Sequence, residues 1–260
     1  MSIVIDSHAI VSSKAQIGDD VKVGPFTIIE DDVIIGTGTH IGANILIANG
    51  ARIGKDCTIH HGAVLGTPPQ DIKFRGEVTT LEVGDHNVIR EYVTMNRGTH
   101  HRMKTTVGSH CFIMAYVHVA HDCSVGNHVI IANASNMGGH VVIEDHSVIG
   151  GLVGIHQFSH IGCHSMIGAC SRVTKDVPPY TLAGSEPLSF KGLNAVGLRR
   201  RGFSPDTIQA IDRVYHLIYN SQMNVSQALE IIRNELLVND EVRHVVEFVE
   251  RSKRGIIGRR

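Results

Sequence analysis

The chain has 260 residues, with 24 Lys plus Arg against 25 Asp plus Glu, so no global field favours nucleic acid as a partner. Its five cysteines are odd in number and form no CxxC pair, which argues for a reducing compartment rather than a disulfide framework. Residues 1–10 carry Asp6 and no basic flank, and no run of 18 apolar residues exists, so a soluble, cytoplasmic protein without stable membrane insertion is expected.

From Ile5 onward an aliphatic residue returns every six positions. The first run is Ile5, Val11, Ile17, Val23, Ile29, Ile35, Ile41, Ile47, Ile53, Ile59 and Leu65. The clock restarts at Val83, Ile89 and Met95, and again at Val107, from where it holds to Val173. All 26 of these positions are Ile, Val, Leu or Met. Gly often follows the aliphatic residue (Gly18, Gly24, Gly36, Gly54, Gly126, Gly162), and the fifth place is small or branched (Val21, Ala51, Cys57, Val129, Ser147). A period of six fits neither an α-helix nor a plain alternating strand. It does fit a short strand plus a corner, three to a coil of 18 residues, with coils stacked as parallel strands about 4.8 Å apart. The first and fifth places then face into a prism, and packing alone explains Cys57, Cys111 and Cys123 at the fifth.

Residues 67–81 (TPPQDIKFRGEVTTL) and 97–106 (RGTHHRMKTT) interrupt the clock. Both are polar and basic, so they are expected to protrude as functional loops. After Val177-Pro178-Pro179 the grammar changes. Ser204-Pro205 predicts an N-cap followed by Pro at the first helical position, with Ile208, Ile211, Val214, Tyr215 and Ile218 on one helical face. Further helices are expected over about 226–237 and 241–252. The organisation predicted is mainly β, a parallel β-helix over residues 1–185, then a helical C-terminal domain over 186–260.

Eighteen histidines obscure any single catalytic candidate. Residues 18 apart stack on adjacent rungs, so position within the coil sorts them by corner. His118, His121, Asp122, Gly139, His140, His156 and Gln157 collect at one corner over three rungs. Imidazoles, a carboxylate and a bare glycine backbone can supply a base, its orienting partner and an oxyanion-binding N–H. A hydrophilic turn is the plainer explanation, since corners of such a coil are polar anyway. A second set, His110, His128, His146 and His164, should form a ladder at another corner, where stacked imidazoles could bind Zn²⁺ or Ni²⁺ or be merely exposed. Only Asp145 stands near it as a carboxylate. Arg199-Arg200-Arg201 and the basic tail from Arg251 to Arg260 suit a phosphate or an acidic partner, or form a solvated helix end.

The hexads, HVAHDC (residues 118–123), GGH (138–140), IHQF (155–158), VPPY (177–180), GLRRRGFS (197–204) and PQDIKFRGE (69–77) together resemble the UDP-N-acetylglucosamine O-acyltransferases of lipid A biosynthesis. That family belongs to the hexapeptide-repeat acyltransferases, and the likeness covers essentially the whole chain. It implies a left-handed coil and transfer of a 3-hydroxyacyl chain from acyl carrier protein to the sugar 3-hydroxyl of UDP-N-acetylglucosamine. His121 would be the general base, Asp122 its orienting acid and Gly139 the oxyanion donor. An ordinary imidazole titrates near pH 6.5 and a thioester is already activated, so no metal or other cofactor is demanded. Substrate contacts carried over are Asp71 and Lys73 in the first loop, His118, His140, His156 and Gln157 at the corner, and Asn194, Arg200 and Arg201 toward nucleotide or phosphopantetheine. Ala169 falls where side-chain bulk limits acyl length. Asn96 stands where relatives often have His, and Val196 where an acidic residue can meet the nucleotide. Relatives form homotrimers with sites between prisms, so acyl carrier protein, the sugar nucleotide and two further copies of the chain are the partners implied. The alternatives are the N-acyltransferase of the same pathway, whose members carry a domain before the prism, and a γ-type carbonic anhydrase, which needs three His ligands.

Overall fold

The computed structural model describes residues 3–236 and 239–259; the end of the expected second helix at 237 and Arg260 of the basic tail lie outside the described residues. Two-residue strands, from Val4–Ile5 onward, follow one another at each hexad and stack into three parallel faces of a left-handed β-helix. The chain visits the first, second and third face in turn, starting at Val4–Ile5, Ile10–Val11 and Gln16–Ile17. Each rung pairs with the next 18 residues on, as Val4 does with Lys22 and His118 with Asn136.

Twenty-three of the 26 column residues are buried. Burial of each aliphatic side chain is worth about 1.5–3 kcal/mol, and the entropy of ordering the chain offsets most of that sum. Ile5, Val11 and Ile17 are the exceptions, because the first coil has no coil beneath it. Fifth-place residues from Val21 onward are buried as the pattern requires, and several polar ones find a carbonyl on the neighbouring turn, although the buried Ser159 hydroxyl has no partner. Thr27 Oγ1 donates to Gly42 O at 2.8 Å, and the Cys111 and Cys123 thiols donate to Gly126 O and Gly138 O at 3.1 and 3.3 Å. Burial pushes those two thiols up to about 11 and about 12, so packing describes them better than reactivity.

The corners explain much of the histidine content. A tight corner needs left-handed backbone, which Asn, Asp and His tolerate better than other side chains. Asp20, Asn44, Asp56, His86, His110, Asp122, His128, His140, His146 and His164 all have φ between 52° and 64°.

Both interruptions leave from the corner between the second and third faces, and they are shorter than expected. Thr67, Thr80, Leu81 and residues 104–106 belong to strands, so the protruding parts are 68–79 and 97–103. Val64 pairs with Thr94, thirty positions on, and Thr94 with His118, twenty-four on. The excursions therefore add twelve and six residues to an 18-residue coil, and register resumes because each is a multiple of six.

An antiparallel pair, Thr181–Gly184 with Ser189–Leu193, extends the first face beyond the last coil. Helix α1 (Ala195–Arg200), which the sequence did not announce, precedes α2 (Pro205–Asn220). Ser204 caps α2 by accepting from Thr207 N, and Ile211, Val214, Tyr215 and Ile218 are buried, as the pattern predicted. The second expected helix is α3 (Val225–Ile231) continued by a π-helical segment, Ile232–Leu236; the third is α4 (Asp240–Arg251).

The helices dock on the prism through named bonds. Tyr215 Oη donates to Pro179 O at 2.6 Å, Ser252 Oγ to Asp176 Oδ2 at 2.6 Å, and His244 Nε2 meets Glu144 Oε2 at 2.7 Å. No helix among the described residues is long and apolar enough to cross a membrane.

Candidate active site

His121 leaves the second face just after the strand His118–Val119, and Asp122 occupies the left-handed position of the turn, with φ 57°. The Asp122 side chain is fully buried and that of His121 is 14% exposed. His121 Nδ1 lies 2.8 Å from Asp122 Oδ2. A carboxylate can only accept, so Nδ1 carries the proton and Nε2 keeps the lone pair. Burial works against the charged form of Asp122, but bonds from the Thr99 hydroxyl and from His121 outweigh it and hold the carboxyl below its ordinary range.

Gly139 sits one coil above, under the His121 ring. A Cβ there would stand 2.5 Å from Cε1 and 2.7 Å from Nε2, so only glycine admits the imidazole in this place. Its N–H has no backbone partner among the described residues, while its carbonyl accepts from Phe158 N at 3.1 Å. The site therefore combines a base with a free lone pair, a buried acid behind it and an unoccupied peptide donor beside it.

The remaining corner residues gather as their phase predicts. His118 Nδ1 is 2.7 Å from Thr94 Oγ1, and burial, with His121 adding to it, holds its imidazole below the ordinary value. His140 stacks on Phe158 at 4.4 Å and meets His121 edge to face at 5.3 Å. Burial lowers its basicity against the pull of Asp122. His156 and Gln157 are exposed on the next rung, with His156 Nδ1 3.0 Å from Gln157 O. Asp71 and Lys73 stand in the first excursion, with Asp71 near His121 and His101. The Lys73 N–H, at 2.9 Å, holds the Asp71 carboxyl down, and the nearby His121 adds to this.

Other candidates lie elsewhere on the same chain. Asn194 caps α1 by accepting from Gly197 N and donates to His164 O at 2.9 Å, while Arg201 Nη1 reaches His146 O at 3.3 Å. Both stand at the corner between the third and first faces, with Arg200 and Val196 exposed on α1. Ala169 is exposed at the remaining corner, between the first and second faces. Asn96 is 3% exposed and donates to Thr67 Oγ1 and Pro68 O at 2.9 and 3.1 Å, which makes it a pin for the first excursion.

The histidine ladder is real and longer than the sequence indicated. His86 joins it across the second excursion, and ring centroids from His86 to His164 succeed one another at 4.7–4.9 Å. The rings are near parallel, so their lone pairs run in parallel planes. Lone pairs in parallel planes do not converge on a single point, and no ladder histidine belongs to a group of three metal-type donors among the described residues. Asp145, the one carboxylate expected nearby, accepts from Asn127 N at 2.7 Å. Burial holds His146 below its ordinary value and His164 down to about 4.

Among the described residues, two groups bring metal-type donors within 4.8 Å of one another: His121, Asp122 and His140, and Glu144, Cys163 and His244. In the first, Asp122 Oδ2 already takes Thr99 Oγ1 at 2.6 Å and His121 Nδ1. In the second, the Cys163 sulfur and Glu144 hold His244 up to about 10, so an ion would have to displace a tightly held proton. Neither arrangement favours a metal.

Sequence reasoning missed Thr94, Thr99, Arg102 and Phe158 around the dyad. The signal for the first was available, since Thr94 pairs with His118 once the six extra residues of the second excursion are allowed for.

Comparison with known proteins gives one consistent result. Family models described as UDP N-acetylglucosamine O-acyltransferase, domain 2, and as bacterial transferase hexapeptide match residues 176–257, and 14–47 with 104–139. The chain is 43% identical over 254 residues to the acyl-[acyl-carrier-protein]–UDP-N-acetylglucosamine O-acyltransferase of Thiobacillus denitrificans, covering 97% of this chain and 98% of that protein. It is 52% identical over 253 residues to the enzyme of the same name from a Sulfurihydrogenibium species, covering 97% and 93%. The crystal structure of a UDP-N-acetylglucosamine acyltransferase from Bacteroides fragilis superposes with a TM-score of 0.95 at 43% identity, covering 97% of this chain and 99% of that one.

Proposed function

The chain belongs to the acyl-[acyl-carrier-protein]–UDP-N-acetylglucosamine O-acyltransferase family, and we propose that His121 is its general base, with Asp122 and Gly139 completing the catalytic group. The enzyme moves an acyl chain from acyl carrier protein to UDP-N-acetylglucosamine, the first step of lipid A biosynthesis. Full-length likeness to the O-acyltransferases decides against the N-acyltransferase and carbonic anhydrase alternatives.

In this reading His121 Nε2 takes the proton of the sugar 3-hydroxyl as that oxygen attacks the thioester carbonyl of a 3-hydroxyacyl donor. Negative charge gathers on the former carbonyl oxygen, where the Gly139 N–H receives it. Collapse expels the phosphopantetheine thiolate, which takes the proton back from the imidazolium. Asp122 stays ionised throughout and steadies the imidazolium without accepting its proton. Asp71 and Lys73 close over the acyl and sugar groups, and His118, His140, His156 and Gln157 supply polar contacts along the corner. Ala169 sets the end of the acyl channel. The observation carrying the proposal is the 2.8 Å bond between His121 and a buried carboxylate, with the ring seated on Gly139.

We also propose a homotrimer acting in the cytoplasm. One chain places His121, Asn194 with Arg201, and Ala169 at three different corners, so only neighbouring copies can gather them round one substrate. Ile72 and Val78, 93% and 88% exposed on the first excursion, are apolar groups that such a neighbour would cover. Light scattering should give three times the 28.3 kDa of the chain; a monomer would remove the shared site. In a transfer assay with UDP-N-acetylglucosamine and 3-hydroxyacyl carrier protein, chelator-treated enzyme should keep its turnover. His121→Ala should lose about 10²–10⁴-fold, the range of general-base contributions.

A further inference from the structure

The second excursion closes over the acid behind His121. Thr99, 1% exposed, donates from Oγ1 to Asp122 Oδ2 at 2.6 Å and from its N–H to Oδ1 at 2.9 Å. Arg102 N–H also reaches Oδ1, at 3.2 Å, and Arg102 Nη1 donates to the Asp122 carbonyl at 3.2 Å. The hydroxyl proton has one place to go, because the carboxylate only accepts and the Oγ1 lone pair already takes the His101 N–H at 3.3 Å. Asp122 N–H donates to Thr105 Oγ1 at 2.8 Å, so the main chain is pinned as well. Each carboxylate oxygen thus receives two donors, and at Oδ2 they are the Thr99 hydroxyl and His121 Nδ1.

An aspartate's terminal torsion is broad and roughly two-fold, so nothing intrinsic fixes which way its oxygens face. Here the donors fix it. We propose that Thr99 is a positioning residue for the reaction: its hydroxyl, delivered by residues 97–103, holds Asp122 Oδ2 in the plane that keeps His121 Nδ1–H toward the acid and the Nε2 lone pair toward substrate. The inference rests on the reading of His121 as base. It gives the shorter excursion a task of its own: the longer one carries Asp71 and Lys73 toward substrate, whereas this one grips the acid from behind.

Removing the hydroxyl also changes the proton balance of Asp122. The groups facing it are His121, His140 Nε2 at 3.7 Å and Arg102, with His101 against His140 and Asp71 near His121. Burial raises the carboxyl, and the Thr99 hydroxyl is the first of the bonds opposing that. Without the hydroxyl Asp122 takes up its proton at a higher pH, and a protonated acid no longer anchors the imidazole.

The test compares Thr99→Val, Thr99→Ala, Thr99→Ser and His121→Ala in the full-length enzyme. Valine keeps the branched shape and removes only the hydroxyl; alanine serves as the second hydroxyl-free variant if valine lowers the folded yield. Both should lower kcat about tenfold with KM for UDP-N-acetylglucosamine little changed, as misplacement of a positioned group does. The acid limb of the kcat/KM profile should move to higher pH, and Thr99→Ser should restore both kcat and the limb. Wild-type kcat in both hydroxyl-free variants, with His121→Ala inactive, would overturn this inference alone. So would a loss of activity that follows a lower melting temperature with the acid limb unmoved, which marks a loop staple. Full activity in His121→Ala would overturn the base reading and this inference together.

Discussion

Two corners of the prism carry histidines in the same left-handed turns, and they differ in what stands behind the rings. Between the second and third faces His121 has a buried carboxylate at 2.8 Å, a glycine beneath it and two excursions around it. Between the third and first faces five imidazoles from His86 to His164 stack face to face, and Asp145 is occupied by Asn127. Left-handed backbone explains the ladder histidines and His140, whereas at His121 the left-handed position belongs to Asp122. On the proposed reading, what sets His121 apart is a buried carboxylate that fixes one ring nitrogen and leaves the other free. On that reading, a periodic sequence produces many histidines for backbone reasons and one for catalysis.

The comparison can be broken by changing what surrounds His121 without touching it. Gly139→Ala keeps the peptide N–H but sets a methyl 2.5 Å from the His121 ring. Turnover should fall about 10–100-fold as the imidazole is displaced, with the melting temperature nearly unchanged. Wild-type turnover would show that the ring has no fixed seat.

A smaller effect is expected where helix α4 meets the prism. Burial works against ionised Glu144, but His160 and His244 outweigh it and hold the carboxyl down to about 2. The Cys163 sulfur and Glu144 hold His244 up to about 10. A raised His stabilises fully below its unfolded value, about 6.5, and that contribution is lost as pH rises through about 10. A depressed Glu stabilises fully above about 4.5, and its contribution is lost as pH falls through about 2. Glu144→Gln should therefore lower the melting temperature most between about pH 4.5 and 6.5, by about 2–8 °C, with the gap closing on both sides. A gap independent of pH would mean that packing, not the ion pair, makes this contact.

The fold was legible because the hexad clock states which side chains face inward, and 23 of its 26 positions are buried. The corner holding His121, Asp122, Gly139 and His140 was legible for the same reason, since 18-residue phase is a geometric statement. Where the clock stops, so did the reading. Thr99 and Arg102 reach Asp122 from an excursion without phase. Glu144 and His244 are a hundred positions apart, on elements of different period. The excursion ends were misplaced because Thr80, Leu81 and residues 104–106 pair as strands without aliphatic spacing. Asn194 and Arg201 lie in the aperiodic tail, so no spacing could show that they stand at a different corner from His121.

The most direct measurement sets the two corners against each other: turnover of His121→Ala and His128→Ala in one acyl-transfer assay. His121→Ala should lose about 10²–10⁴-fold while His128→Ala stays within about twofold of the parent enzyme. Comparable losses in both variants, or a larger one in His128→Ala, would contradict the account.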